Sequence, residues 1–500
     1  MRNTDATPHG SERLFPSPKV TRGGLAMFAL SLRFNNFRFR KGVAGIPDSA
    51  VYKQAMAHYY LNKRRHNADL GVACQAFEQA YQDRRREGDL VNDLIIVEQD
   101  GVRIKVRKPD GAEFATLNLA TNSYQDLDLE AAPRQQLAEY VMTNALSSCL
   151  SRKIAGRLPV HAQLEEEIRD FLEYESCLLA TCGYIAQQAV LFALFQKGDV
   201  IFSDEHNHSS LIDGMRLTGS DVVIYPHLDY DRLRALVRKH RSRYNCAGIV
   251  SDGVFSAHGT MANLDAIAAI KQEHNLLSII DDTHGFATIG RRARGVLDYY
   301  ESRPDVLTAS LAKGLAGFGG MVAASRPVLR VIDCFGRQNI NTSHLSPLAT
   351  AQSYFNLKHL RANLSAFTAD LNQAVRFFNQ ALDRRSLKQY QDANTYAHPI
   401  FSFYGDSETQ VVEAYQLLLE NGFTGAFFPP PVAPAPTIRF SLHRKVDSES
   451  LTRLAVLIER CGLRPLSREY WPHMQAVRQV QSASATPLEL LRDSRLASLK

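Results

Sequence analysis

Leu277-Ser-Ile-Ile-Asp-Asp-Thr-His-Gly285 and Val306-Leu-Thr-Ala-Ser-Leu-Ala-Lys-Gly-Leu-Ala-Gly-Phe-Gly-Gly320 decide how this chain reads. Each opens on a short apolar run of strand length, breaks into polar residues and ends on glycine. A near-continuous apolar run bounded by turn residues is the mark of a strand covered on both faces. The same form recurs at Ser176–Thr181, Val200–Ser203, Val222–Pro226, Gly248–Ser251 and Met321–Ser325. Helical segments lie between many of these runs. In His161–Glu175, Leu164, Ile168, Phe171 and Leu172 form one apolar stripe. Strands alternating with helices predict an α/β protein with a large, mainly parallel sheet covered on both faces. Ligands gather at the strand ends of such sheets, where the polar residues of both quoted segments fall.

Outward from this centre the organisation is as follows. Residues 1–48 are rich in Pro, Gly, Ser and Arg and read as an extension; Gly24–Leu32 within them lacks the clean apolar core and small-residue cleavage site of a signal peptide. Residues 49–116 begin helical and then alternate like strands, through Leu94, Ile96 and Val97, then Val102, Ile104 and Val106. The large domain occupies 117–344. A smaller C-terminal α+β domain occupies 345–465, with strands at Ile400–Tyr404 and Thr437–Leu442 and helices at Val411–Asn421 and Ser448–Cys461. Pro429, Pro430, Pro431, Pro434 and Pro436 mark a rigid loop before the last strand. Residues 466–500 form a polar tail.

Composition narrows the function classes. A formal charge of +6 over 500 residues is too small to suggest nucleic-acid binding, and the clusters Lys63-Arg64-Arg65 and Arg84-Arg85-Arg86 read as solvated helix faces. Seven cysteines without a CxxC pair argue against a disulfide framework and against a zinc site. Cys177 and Cys246 sit in apolar runs and are expected in the core. This usage fits a reducing cytoplasm, and no apolar run reaches the roughly 18 residues that span a bilayer.

Lys313 follows an apolar strand and precedes a glycine-rich turn, where backbone can pass close to a cofactor. A lysine after a strand, taken alone, is a surface residue. Asp281 and Asp282 lie at a probable strand end, where an ionised carboxylate would keep a pyridine nitrogen protonated; a helix-capping or metal-binding Asp is the alternative. A lysine for a Schiff base and an acid for the ring nitrogen are two demands of pyridoxal-phosphate chemistry, beside phosphate donors and a platform for the ring.

Asp204-Glu-His-Asn-His208-Ser-Ser-Leu-Ile-Asp213-Gly214 matches the D-x-x-N-H-x-S-x-x-D-G signature of the α-oxoamine synthases. These are fold-type I pyridoxal-phosphate enzymes that include aminooxononanoate synthase, aminolevulinate synthase, serine palmitoyltransferase and the α-aminoketone autoinducer synthase. Further matches keep the family's order: Ser151-Arg152 with Gly156, His161 and Leu164-Glu165; Cys182-Gly183-Tyr184; Asp252-Gly-Val-Phe-Ser256; Asp281-Asp-Thr-His284-Gly285; and Ser310-Leu-Ala-Lys313. The resemblance spans about Leu117 to Leu463.

The resemblance implies a residue-by-residue assignment. Lys313 would form the Schiff base and Asp281 would pair with the pyridine nitrogen. His284 and Ser256 would contact the cofactor's phenolic oxygen, and His208 would stack on its ring. The backbone at Cys182, Gly183 and Tyr184, with the Ser310 hydroxyl, would hold the phosphate, joined by Thr342 from the other subunit of a homodimer. Asn122 and Arg439 would receive the substrate carboxylate. Outside this context His208 and His284 read as satisfied core histidines, Arg439 as a surface strand residue and Asn122 as an Asx turn. The implied reaction condenses an amino acid with an acyl thioester, on coenzyme A or a carrier protein, with decarboxylation. A lyase or aminotransferase on the same fold, and a silent partner subunit, remain as alternatives; the presence of Lys313 counts against the last.

The chain departs from the commoner family pattern at several positions. Cys149 and Leu150 stand where glycines usually precede Ser-Arg, Asp252 replaces a Glu, and His258 replaces an Asp. The C-terminal R-P-P-T-V-P loop reads Phe428-Pro-Pro-Pro-Val-Ala-Pro. Thr308–Lys313, Gly425–Phe428 and Thr437–Leu442 look closer to the autoinducer-synthase branch.

Overall fold

The computed structural model describes residues 70–86, 94–147, 149, 151–387, 398–428, 433 and 435–465. The expected extension 1–48, the start of the helical segment after it, most of the proline loop and the tail 466–500 lie outside these residues.

Helix α1 (Leu70–Arg86) precedes a small sheet of β1 (Ile95–Asp100), β2 (Arg103–Arg107) and β3 (Glu113–Asn118). The tight β1–β2 turn is carried by Gly101 at φ +63°. Next come α2 (Ala131–Thr143), α3 (Arg152–Ala155) and α4 (Pro159–Leu172). The central region then alternates: β4 (Ser176–Ala180), α5 (Gly183–Leu194), β5 (Val200–Asp204), α6 (Ser209–Thr218), β6 (Asp221–Tyr225), α7 (Tyr230–His240), β7 (Ala247–Asp252), α8 (Leu264–His274), β8 (Leu277–Asp281), β9 (Val306–Ser310) and β10 (Gly320–Ala324). Helices α9 (Arg326–Phe335), α10 (Arg337–Ile340), α11 (Pro347–Ala362) and α12 (Leu364–Asp383) lead into the C-terminal part. It contains β11 (Ile400–Tyr404), α13 (Glu408–Glu420), β12 (Phe423–Thr424), β13 (Ala426–Phe428), β14 (Thr437–Ser441), α14 (Ser448–Arg460) and β15 (Arg464–Pro465).

The seven-stranded sheet has the order β4-β10-β9-β8-β7-β5-β6. Strands β6, β5, β7, β8 and β9 are mutually parallel, while β10 runs antiparallel to both β4 and β9. Alternate side chains of each strand enter two cores, as the pleat requires. Val200, Phe202, Ile249, Ile280 and Leu307 face α4, α7, α8 and α11. Ile201, Val250, Ile279 and Val306 face α5, α6 and α9. Strands β5, β7 and β10 are buried along their whole length, so the continuous apolar runs follow from helices on both faces. Gly248 is needed in β7 because a Cβ there would come within 2.4 Å of the Phe195 ring.

The smaller C-terminal domain builds its own sheet, β13-β14-β11-β15, against α12, α13 and α14. Leu117 and Leu119 belong to this core, and β3 pairs in parallel with β12. Cys177 is buried as expected, but Cys246 is exposed: it precedes β7 at the sheet's rim, where the apolar run has not yet entered the core. No helix among the described residues is long and apolar enough to cross a membrane.

Candidate active site

Three strands of the large sheet end in line. Register pairs Asp252 of β7 with Asp281 of β8, and Asp281 with Thr308 of β9, so the polar residues after each apolar run collect on one edge. The pleat sends the adjacent acids Asp281 and Asp282 different ways. Asp282 is enclosed: its Oδ2 accepts from the Val296 amide at 2.9 Å. A Cβ at Gly253, Gly285 or Gly295 would approach its oxygens to 2.7, 2.1 or 1.8 Å. Asp282 is therefore packing, held well above the usual carboxylate range by burial.

Asp281 is also buried, yet it is organised by donors. Its Oδ1 accepts from the Thr283 amide at 3.2 Å and hydroxyl at 2.7 Å, and its Oδ2 from the Gln187 side chain of α5. Burial raises its pKa to about 6, opposed by these donors and by the charge of Lys313. Lys313 is half-buried in the turn after β9. Burial, and then the nearby Arg439 charge, push its pKa below the ordinary lysine value. An amine so placed gives up its proton more readily than a surface lysine.

The first turn of α5 lies against the end of β9. Its N-cap is Cys182, and a Cβ at Gly183 would sit 2.8 Å from Ser310 Cβ and 3.0 Å from its Cα. A Cβ at Gly320 would come within 2.4 Å of the Cys182 carbonyl oxygen. Glycine at both places lets the helix N-terminus approach strand backbone, which is how backbone amides are gathered for an anion. The Ser310 amide is fixed by the Thr283 hydroxyl at 2.9 Å, and the Ser310 hydroxyl accepts from the Ala312 amide at 3.2 Å.

A second buried group comes from distant parts of the chain. Arg439 of β14 donates from Nη1 to the Ser256 carbonyl at 2.9 Å and from Nη2 to Asn122 Oδ1 at 3.0 Å. Asn122 Oδ1 also accepts from the Ser441 hydroxyl at 3.1 Å and from the Tyr124 hydroxyl at 3.1 Å. That phenol meets His284 Nδ1 at 2.7 Å. Burial drives Tyr124 up to about 12 and drives His284 well below its usual value, so the pair is neutral. Arg439 Nε is buried without a hydrogen-bond partner, and the Phe428 ring lies 4.9 Å from the guanidinium carbon. A desolvated guanidinium with an uncommitted donor is suited to an incoming carboxylate.

The remaining predicted residues stand around this set. His208 caps α6, its Nδ1 facing the Ser210 amide at 3.3 Å and hydroxyl at 2.7 Å, and its ring is exposed. Its amide donates to Asp252 at 3.2 Å. Asn207 ties β5 to β7 through the Val250 carbonyl and the Asp252 amide, both at 2.8 Å. Tyr184 is partly exposed and bonds Asp213 through its hydroxyl. Ser256 enters the network through its carbonyl. Thr342 lies half-buried between α10 and α11 and joins none of the bonds linking Asn122, Tyr124, His284 and Arg439. Sequence reasoning missed Tyr124, Gln187, Thr283 and Ser441. Thr283 had a visible signal, standing inside the quoted Asp-Asp-Thr-His run.

These residues fit pyridoxal phosphate on the structure's own terms. A buried carboxylate, an amine of lowered pKa, a glycine-opened helix N-terminus and an uncommitted guanidinium donor converge on one end of the sheet. Asp281 would hold the ring nitrogen, Lys313 the aldehyde carbon, and the start of α5 with Ser310 the phosphate.

Comparison with known proteins follows the same line. A sequence model of the family "Aminotransferase class I and II" matches residues 115–458. The 8-amino-7-oxononanoate synthase of Geobacter sulfurreducens is 33% identical over 359 residues, which are 69% of this chain and 88% of that one. The enzyme of the same name from Thermoanaerobacter pseudethanolicus is 29% identical over 348 residues, 68% and 86% of the two chains. Among solved structures, Sphingomonas wittichii serine palmitoyltransferase superposes with a TM-score of 0.71 at 22% identity, covering 79% of this chain and 98% of that one. The 8-amino-7-oxononanoate synthase of Francisella tularensis gives 0.60 at 24% identity, covering 69% and 97%. The two structures speak for the fold.

Proposed function

This chain belongs to the α-oxoamine synthase family within the class I and II aminotransferases, and on that premise we propose that it condenses an amino acid with an acyl thioester. The carboxylate of the amino acid leaves as carbon dioxide, the thiol of coenzyme A or a carrier protein is released, and an α-aminoketone is formed. The observation that carries this reading is the buried line Arg439–Asn122–Tyr124–His284.

Pyridoxal phosphate, when bound, supplies the electron sink that lets a C–H bond beside the amino group break. Arg439 receives the amino acid's carboxylate through the donor that its contacts with Ser256 and Asn122 leave uncommitted. Lys313 Nζ, whose pKa burial and the Arg439 charge lower, takes the α-proton. Asp281, held by its Thr283 and Gln187 donors, would be the carboxylate beside the ring nitrogen of the bound cofactor. With the Tyr124 proton turned from Asn122 to His284 Nδ1, the neutral imidazole presents Nε2–H and polarises the acyl carbonyl as the new carbon–carbon bond forms.

Two copies of the chain would form the working unit. Met142 of α2, Ile154 of α3, Phe335 of α9 and Phe318 in the turn after Lys313 are large apolar side chains that are more than half exposed, surface that a second chain would cover.

The test is to incubate the cofactor-loaded protein with amino acids and acyl thioesters and to follow free thiol and carbon dioxide. The reading requires both, in equal amounts, from one pair of substrates. Amino-group transfer to a keto acid without thiol release would replace it with an aminotransferase.

A further inference from the structure

Three imidazoles stand together beyond the carboxyl ends of β5, β6 and β7, outside the set of residues just described. One nitrogen from each of His206, His227 and His258 lies within 4.8 Å of the others. The His206 and His227 rings are stacked with centroids 4.4 Å apart, and the His258 ring is 5.1 Å from the first and 4.8 Å from the second. His258 is buried and the other two are partly buried. We propose that His206, His227 and His258 form a binding site for a divalent transition-metal ion of the zinc class.

The surrounding bonds fix the tautomers of His227 and His258, and the His206 ring, stacked on His227, turns toward the shared point when an ion binds. Asp204, at the end of β5, accepts from His227 Nδ1 at 2.9 Å and from the His206 amide at 2.8 Å, both on Oδ1; its Oδ2 holds the Leu228 amide at 3.0 Å. One carboxylate thus holds the His227 ring and the His206 backbone, and fixes the tautomer of His227 with its proton on Nδ1. A carboxylate behind a histidine is the usual outer partner of a metal-bound imidazole, and it raises the basicity of the far nitrogen. His227 Nε2 then accepts from the Thr260 hydroxyl at 2.8 Å, and that oxygen accepts from His258 Nδ1 at 2.8 Å. In this network both His227 and His258 carry their lone pair on Nε2.

Glu205 stands beside the cluster, with Oε1 3.9 Å from His206 Nε2 and holding the His227 amide at 3.2 Å. It offers a fourth, oxygen donor. Zinc bonds to imidazole nitrogen at about 2.0–2.1 Å in tetrahedral sites, so its ligand atoms sit roughly 3.4 Å apart. The rings therefore draw in by about 1 Å on binding, and the ion takes the place of the Thr260 hydroxyl at His227 Nε2. Nitrogen-rich sites of this kind take zinc, nickel or copper rather than magnesium or calcium. The loop that carries His258 also carries Ser256, whose carbonyl holds Arg439, so the ion ties that loop to β5.

The test uses the full chain loaded with pyridoxal phosphate and freed of metal by dialysis against a chelator. Zinc is titrated in competition with a chromogenic chelator, for wild type, for His206→Ala and His258→Ala, and for a variant with the four exposed thiols replaced, Cys74→Ser/Cys149→Ser/Cys246→Ser/Cys334→Ser. The expected result is one zinc per chain, bound at least tenfold more weakly by each histidine variant and equally well by the exposed-thiol variant. The zinc X-ray absorption edge of the wild type should show a nitrogen shell with imidazole scattering. If His258→Ala fails to fold, judged by its circular dichroism, His206→Ala carries the comparison alone. Sub-stoichiometric binding, binding indifferent to the histidines, or a sulfur shell at the edge overturns the proposal.

Discussion

At the residue scale the candidate chemistry depends on a few buried polar atoms whose partners come from far along the chain. Tyr124 reaches His284 across 160 residues, and Gln187 reaches Asp281 across 94. Replacing Tyr124 with Phe leaves His284 Nδ1 buried without this partner, which costs about 1–3 kcal/mol of stability. The same change should lower kcat by roughly 10- to 100-fold, since the imidazole loses the bond that orients it; urea unfolding and initial rates check the two effects separately. Asp281 supplies a pH test. Burial raises its pKa to about 6, so it gains a proton as pH falls through that value and loses the charge that holds a ring nitrogen. Cofactor affinity should be level above neutral pH and fall below about 6, whereas Asp281→Asn should bind weakly and lose that step. Equilibrium titration of the cofactor at several pH values measures both. For the cofactor-free fold the sign is opposite: the folded chain holds a proton that the unfolded one has released, so this group favours folding more as pH drops below about 6. Lys313 and Asp281 were legible because each follows a strand-like run and is followed within four residues by glycine. Tyr124 and Gln187 were not, because nothing local distinguishes a tyrosine in a loop or a glutamine on a helix from ordinary packing until the fold brings their partners near.

At the scale of elements, the strands of the large sheet and their order of alternation could be read directly, since a strand buried on both faces leaves an unbroken apolar run. The three-residue β13 and the two-residue β12 and β15 could not, being too short to carry a period. The direction of β10 was also beyond the sequence, because an antiparallel strand in a covered sheet is as apolar as its parallel neighbours. The join between α5 and β9 has the sharpest consequence. Gly183→Ala would place a Cβ 2.8 Å from Ser310 Cβ and 3.0 Å from its Cα, and backbone contacts of that kind cannot rotate away. The helix start must move off the strand, and cofactor affinity should fall at least tenfold, on the order of 1.4 kcal/mol or more. Titration with pyridoxal phosphate, beside a far-ultraviolet spectrum showing the fold intact, tests this. An unchanged affinity would mean that the phosphate is held elsewhere.

At the scale of the whole molecule, two sheets and their helices bring residues 122, 256, 284, 313 and 439 to one edge, so the candidate site belongs to no single segment. The large exposed side chains Met142, Ile154, Phe318 and Phe335 support the proposal of a two-chain assembly. Sedimentation should give twice the mass of one chain, and Phe335→Asp should shift it toward one; a wild type that sediments as a single chain at micromolar concentration removes the proposal. The central claim is that this is a pyridoxal-phosphate enzyme working through Lys313, and the visible absorption spectrum tests it most directly. Wild type loaded with cofactor should show a band near roughly 420 nm, the region expected of a lysine-bound cofactor, that survives gel filtration and shifts when a substrate amino acid is added. Lys313→Ala, folded and loaded in the same way, should lack it. A wild type without the band, or a band that persists unchanged in Lys313→Ala, would contradict the account.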